Sequence, residues 1–235
     1  MNLTETMAAL EKLGSLQTKK MWLTHGGSEP LFGVKIGDMK GILKRIKGRQ
    51  DLALELYATG NLDAMYLAGL VADGAQMSKK DLQAWVKAAR SPMVAEYTVP
   101  WVAAESPHAR ELAGLWIDAK QELVAAAGWN TWSGIVSLTD DADLDKKELE
   151  ALLKRVEKEI GKAKNRVRYC MNGFVIAVGA AVKPLLAKAK ASAKALGKVE
   201  VEMGGTACKV PLATEVIAKL EAMGRVGKKR KTMKC

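Results

Sequence analysis

DLALELYATGNLDAMYLAGLVAD, residues 51–73, contains two apolar runs separated by a single glycine. The first, Asp51 to Thr59, carries Leu52, Leu54, Leu56 and Tyr57, and Gly60 follows it. The second, Leu62 to Asp73, is rich in Ala and Leu. Each run is helix-length and glycine is a common helix stop, so the stretch predicts two short helices folded back on one another.

The same arrangement extends in both directions. Upstream, Met7, Leu10 and Leu13 recur at helical spacing before Gly14, Lys19 to His25 stops at Gly26-Gly27, and Asp38 is a plausible cap for Met39 to Lys47. Downstream, Ser78 caps Lys79 to Ala89. Val94 to Ala104 contains Pro100, which predicts a kink or break, and Ser106-Pro107 opens a helix over His108 to Ala127. Gly128 then separates off Trp129 to Leu138, and Asp145 to Gly161, Asn165 to Ala180 and Pro184 to Leu196 complete the series. About a dozen short helices joined by tight turns imply an all-α fold of antiparallel pairs stacked into a solenoid. The exception is Lys198 to Met203 with Thr206 to Val210 around Gly204-Gly205, readable as a β-hairpin or an extended loop. No Gly/Ser/Pro-rich linker divides the chain, so residues 1–225 read as one domain and 226–235 as a basic tail.

The chain has 235 residues, a formal net charge of +11 and a pI near 9.5. Excess positive charge concentrates polyanions, so DNA, RNA and acidic membranes all qualify as partners. Three cysteines without paired spacing argue against a disulfide framework or zinc site and fit a reducing cytoplasm. The N-terminal stretch has no apolar signal region, and no apolar run approaches the ~20 residues that span a bilayer. A phosphate-binding loop, a dinucleotide fingerprint and a zinc-protease motif are all missing, so neither a cofactor nor a metal is expected.

Phe32-Gly33-Val34-Lys35-Ile36-Gly37-Asp38-Met39-Lys40, followed at the right interval by residues 51–73, resembles the opening segments of the DNA alkylation repair family, HEAT-like-repeat proteins that include alkylpurine DNA glycosylases. The resemblance extends to about Ala181. It implies a HEAT-like superhelix, duplex DNA as partner, a monomer, and hydrolysis of the glycosidic bond of N3- or N7-alkylated purines. In that chemistry aromatic faces and a carboxylate stabilise an oxocarbenium-like sugar.

The family pattern W-x-x-x-D falls on Trp101-Val102-Ala103-Ala104-Glu105, so Trp101 and Glu105 are the candidate catalytic pair, Glu replacing Asp. The alternative is a core Trp beside a solvated Glu. The family's arginine segment falls on Trp129 to Val136, where Thr131 and Trp132 occupy the expected arginine positions; Arg166 and Arg168 are candidate substitutes. The second tryptophan position holds Phe174. Asn172 in the same apolar stretch is either a structural tie or a site residue. Trp132, Phe174, Arg166 and Arg168, with Lys228, Lys229, Arg230 and Lys231 of the tail, form the candidate DNA-binding set. Such a tail run is otherwise simply disordered and solvated. Three functions follow: an alkylpurine glycosylase, a non-catalytic binder of damaged or branched DNA, or a protein-interaction solenoid.

Overall fold

A computed structural model describes residues 1–234. The 51–73 stretch forms α4 (Gln50–Ala58) and α5 (Leu62–Val71), with the Asn61 side chain accepting from the amides of Asp63 and Ala64 to cap α5. Upstream lie α1 (Leu3–Leu13), α2 (Leu16–Thr24) and α3 (Lys40–Ile46). Downstream come α6 (Lys79–Ala88), α7 (Val99–Ala104), α8 (Ala109–Ile117), α9 (Glu122–Leu138), α10 (Lys146–Glu159), α11 (Asn165–Ala181), α12 (Leu186–Leu196) and α13 (Ala213–Ala222). Two cores fill the space between the helices, one on Leu52, Leu56 and Leu67, the other on Trp129, Phe174 and Val175.

Helices pair as α4–α5, α6–α7, α8–α9, α10–α11 and α12–α13. The second members stack side by side, the turn before α7 on α5, then α7 on α9, α9 on α11 and α11 on α13. From α5 to α11 they run parallel, since contacts advance together along each pair: Gly69 and Gly74 meet Thr98 and Val102, Glu96 and Ala104 meet Asn130 and Gly134, and Glu122 and Asn130 meet Arg166 and Gly173. Their N-termini therefore share one edge of the row and their C-termini the other.

The segment that carried the first resemblance has a structural cause. Buried Asp63 accepts from the amides of Phe32 (2.7 Å), Gly33 (3.0 Å) and Val34 (2.9 Å), tying this extended stretch to the start of α5. Gly33 has φ +81°, and a Cβ there would lie 2.4 Å from the Lys19 nitrogen, so no other residue fits.

Four sequence expectations change. Residues 198–210 form no β-hairpin. The backbone of Glu202 bonds the Asn165 side chain in both directions (2.7 and 2.8 Å), and Pro211 accepts from Asn172 (2.9 Å). Groups that would pair strands instead bind α11, and Asn172 acts as a structural tie. The loop's far end brings Cys208 Sγ within 4.0 Å of His25 Nδ1, beside the end of α2. Second, the helix expected over 108–127 breaks after Ile117, and α9 runs unbroken through Gly128. A Cβ on Gly128 would sit 2.6 Å from the Ile117 nitrogen, so this glycine permits close packing of α8 on α9 and ends nothing. Third, α13 lies in a region where no helix was expected.

Fourth, the basic tail does not trail into solvent. Gly227 N donates to Ala180 O (2.8 Å), Arg230 N to Ser137 O (2.8 Å) and Met233 N to Glu105 Oε1 (2.9 Å). The tail thus crosses the C-terminal ends of α11, α9 and α7, and the Lys234 ammonium reaches Ala72 O just past α5. Among the described residues no single helix is long and apolar enough to cross a membrane; the apolar pair Asn165–Ala181 and Lys183–Leu196 is bent by 114°.

Candidate nucleic-acid interface

The geometry of the row's open face begins with Pro100. A proline in a helix cannot donate to the carbonyl four residues back, here Glu96. The chain accommodates it with a π turn, Val94–Thr98, in which the Val99 amide reaches Val94 O, and Pro100 then falls in the first turn of α7. The orphaned Glu96 carbonyl accepts instead from the Asn130 side chain of α9 at 2.6 Å. The expected irregularity at Pro100 is therefore a π turn in a continuous helical stretch, and a neighbouring helix satisfies the freed carbonyl.

The same turn buries the Glu96 carboxylate and turns Tyr97 outward. Glu96 is 1% exposed and accepts from Nε and Nη2 of Arg166 on α11, each at 2.6 Å. Burial pushes the Glu96 carboxyl above the usual carboxylate range, and the two Arg166 hydrogen bonds offset this only in part. Burial opposes the Arg166 charge too, but the bonds to Glu96 outweigh it and hold the guanidinium firmly protonated. The Arg166 guanidinium also lies 4.6 Å from the centre of the Tyr169 ring, and its backbone amide donates to Glu122 at the N-terminus of α9. Tyr97 is 40% exposed, its phenol driven up by burial of its inner side and by its hydrogen bond to Tyr169. Two tyrosines and an arginine thus meet on the open face, beside the half-buried Asn130, Ser133 and Gly173.

Of the residues expected from the sequence, only Arg166 joins this cluster directly. Trp101 is 6% exposed; it lies beneath Tyr97, 6.1 Å between ring centres, and meets Tyr66 edge-on at 5.6 Å. Glu105 sits a full turn further on, where Thr232 Oγ1, the Met233 amide and the Lys234 ammonium converge on its carboxylate. Trp101 and Glu105 share a helix end, one packed under Tyr97 and the other bonded to the tail. Trp132 and Phe174 belong to the second core, where Phe174 packs on Trp129 at 5.4 Å. Arg168 is partly buried, and its Nε has no hydrogen-bond partner. In the tail, Lys229 is turned inward onto Asp141 (2.9 Å), whereas Lys228, Arg230 and Lys231 are exposed.

Sequence reasoning missed Glu96, Tyr97, Asn130 and Tyr169. A signal existed: Glu96 is the one charged residue between Ser91 and Ala104, and a charge inside such a run needs a partner.

From α5 to α11 the carboxylates of the row are engaged. Asp63 is capped by three amides, Glu96 holds Arg166, Glu105 holds the tail, Glu122 accepts from Arg166, and α11 contains no acidic residue. Among the described residues no group of three or more His, Cys, Asp or Glu side chains could hold a metal ion.

Against known proteins, the family model for the DNA alkylation repair enzyme matches residues 6–196, well over half of the chain. The chain belongs to the DNA alkylation repair enzyme family. Within it, uncharacterized proteins of Listeria innocua and Listeria monocytogenes are each 33% identical over 215 residues, covering 89% of this chain and 93% of theirs. A solved structure matches over the full length of both chains, with a TM-score of 0.91 and 38% identity. That protein is described as one of a new family related to the HEAT-like repeat DNA glycosylases, with affinity for branched DNA structures. This family member shares its HEAT-like repeat architecture.

Proposed function

We propose that this protein binds branched or otherwise distorted duplex DNA on the open face of α7, α9 and α11, as a cytoplasmic monomer, without cleaving glycosidic bonds. The observation that carries this reading is the exposed Tyr97 beside Arg166 and Tyr169, on helices whose own carboxylates are engaged. A continuous duplex keeps its bases stacked on one another. At a junction or lesion a base face is open, and stacking on an aromatic side chain contributes about 1–3 kcal/mol. The family relationship and the affinity described for the structural neighbour point the same way.

Glycosidic hydrolysis of alkylated purines, with Trp101 and Glu105 in the roles the family resemblance implies, is the second reading, favoured by the repair-enzyme family match. It requires the Glu105 carboxylate to exchange its three tail contacts for a sugar or a water.

One experiment separates the two. Binding to a four-way junction, a forked duplex and a linear duplex of equal length is measured beside base release from methylated duplex. We expect tighter binding to the branched substrates, a roughly tenfold loss for Tyr97→Ala, and no base release. Equal affinity for linear and branched DNA would sink the proposal, and release of alkylpurine abolished by Glu105→Gln would replace it with the second reading.

A further inference from the structure

Helix C-termini carry unsatisfied carbonyls and a partial negative charge, and four parallel helices direct theirs to one edge of the row. Left bare, that edge would repel a polyanion lying across the open face. Residues 227–234 run along this edge. Two of their lysines turn inward: Lys229 donates to Val136 O (2.9 Å) and pairs with Asp141, while Lys234 reaches Ala72 O and Glu105. The main-chain bonds of Gly227, Arg230 and Met233 hold the segment in place. The cations left over, Lys228, Arg230 and Lys231, are exposed and have no ion pair among the described residues. Exposed Lys183 packs its Cβ against Gly227, and its amide donates to Asp141.

We propose that this docked strap is a second DNA-binding surface, gripping the sugar-phosphate backbone of a duplex arm through Lys228, Arg230 and Lys231, with Lys183 beside them. The inward lysines match the two acids there and donate to two of the edge's carbonyls, and the outward cations then act on the DNA. The exposed acids of the adjoining turn, Asp140 and Asp143, are fewer than these four cations. The inference rests on DNA binding as proposed above and adds where an arm of the DNA leaves the open face. It also separates Lys229, which serves the fold, from its neighbours in the same basic run.

The test is the salt dependence of binding to a four-way junction. Wild type is compared with Lys228→Ala/Arg230→Ala/Lys231→Ala and with Lys146→Ala/Lys147→Ala/Lys154→Ala, which removes the same charge from α10. Melting temperatures check that both variants fold. Each phosphate contact contributes about 0.9 to the slope of log K against log salt. The strap variant is expected to lose roughly 2–3 units of slope and to bind at least tenfold more weakly near physiological salt, with the α10 variant close to wild type. An unchanged slope in the strap variant, or an equal loss in both variants, overturns the strap assignment and leaves the open-face reading standing. A wild-type protein that binds no DNA overturns both.

Discussion

At the residue scale, Glu96 is where sequence and structure diverge most. Its partner Arg166 is 70 positions away, and nothing local in the sequence joins them. Trp101 and Glu105 were legible because four residues separate them, but spacing says nothing of what lies above a helix. Here Tyr97 covers one and the tail occupies the other. The raised carboxyl of Glu96 has a measurable consequence. A carboxyl that is harder to ionise in the folded state than in the unfolded chain adds stability fully present below the ordinary glutamate range, and lost as pH rises through its folded value. Glu96→Gln mimics the protonated form at every pH. In chemical denaturation at pH 4 and pH 7, the variant is expected to gain on wild type as pH rises. A gap that is flat across that window, or that moves the other way, would contradict the assigned direction.

At the scale of elements, helical pairs were readable from apolar spacing and glycine punctuation, because the pair over 51–73 buries its runs locally. Glycine also misled. Gly60 does follow a helix, with φ +69°, whereas Gly128 lies inside one, where only a hydrogen atom fits against Ile117. Sequence cannot separate these roles, since the second depends on a neighbouring helix. Gly128→Val should therefore destabilise the protein by roughly 1–3 kcal/mol through overpacking. Gly114→Ala, in α8 with nothing near the added methyl, should stabilise it by up to about 1 kcal/mol. Urea denaturation of the two variants checks both signs. The 198–210 segment stayed open between hairpin and loop for a similar reason: its alternation suits a strand, but Asn165 and Asn172 on α11 provide the partners.

At the scale of the whole molecule, the stacked all-α architecture was visible from the order of short helices, and the family from the order of its motifs. The path of the tail was not, because a run of lysines and arginines reads as solvated whether or not its backbone is docked. Glu105 holds the end of that path. Glu105→Ala leaves the Met233 amide without its acceptor, at about 1–3 kcal/mol for a buried group and less where water reaches it. We expect faster tryptic cleavage among residues 228–231 with only a small drop in melting temperature. Cleavage at the wild-type rate would show that the anchor lies elsewhere.

The strap also sets a length. From the bond at Ala180 to the one at Ala72 it crosses four helices with eight residues, 227–234. An extended chain of that size reaches at most about 26–29 Å, and neighbouring helices in a row lie about 8–10 Å apart. Three such steps use most of the reach, with the Lys234 side chain making the last contact. An ordinary repeat array can gain or lose a unit and only change length. Here a pair inserted between α5 and α11 would pull the far contact out of range, so the segment works as a ruler that permits one number of repeats and one curvature.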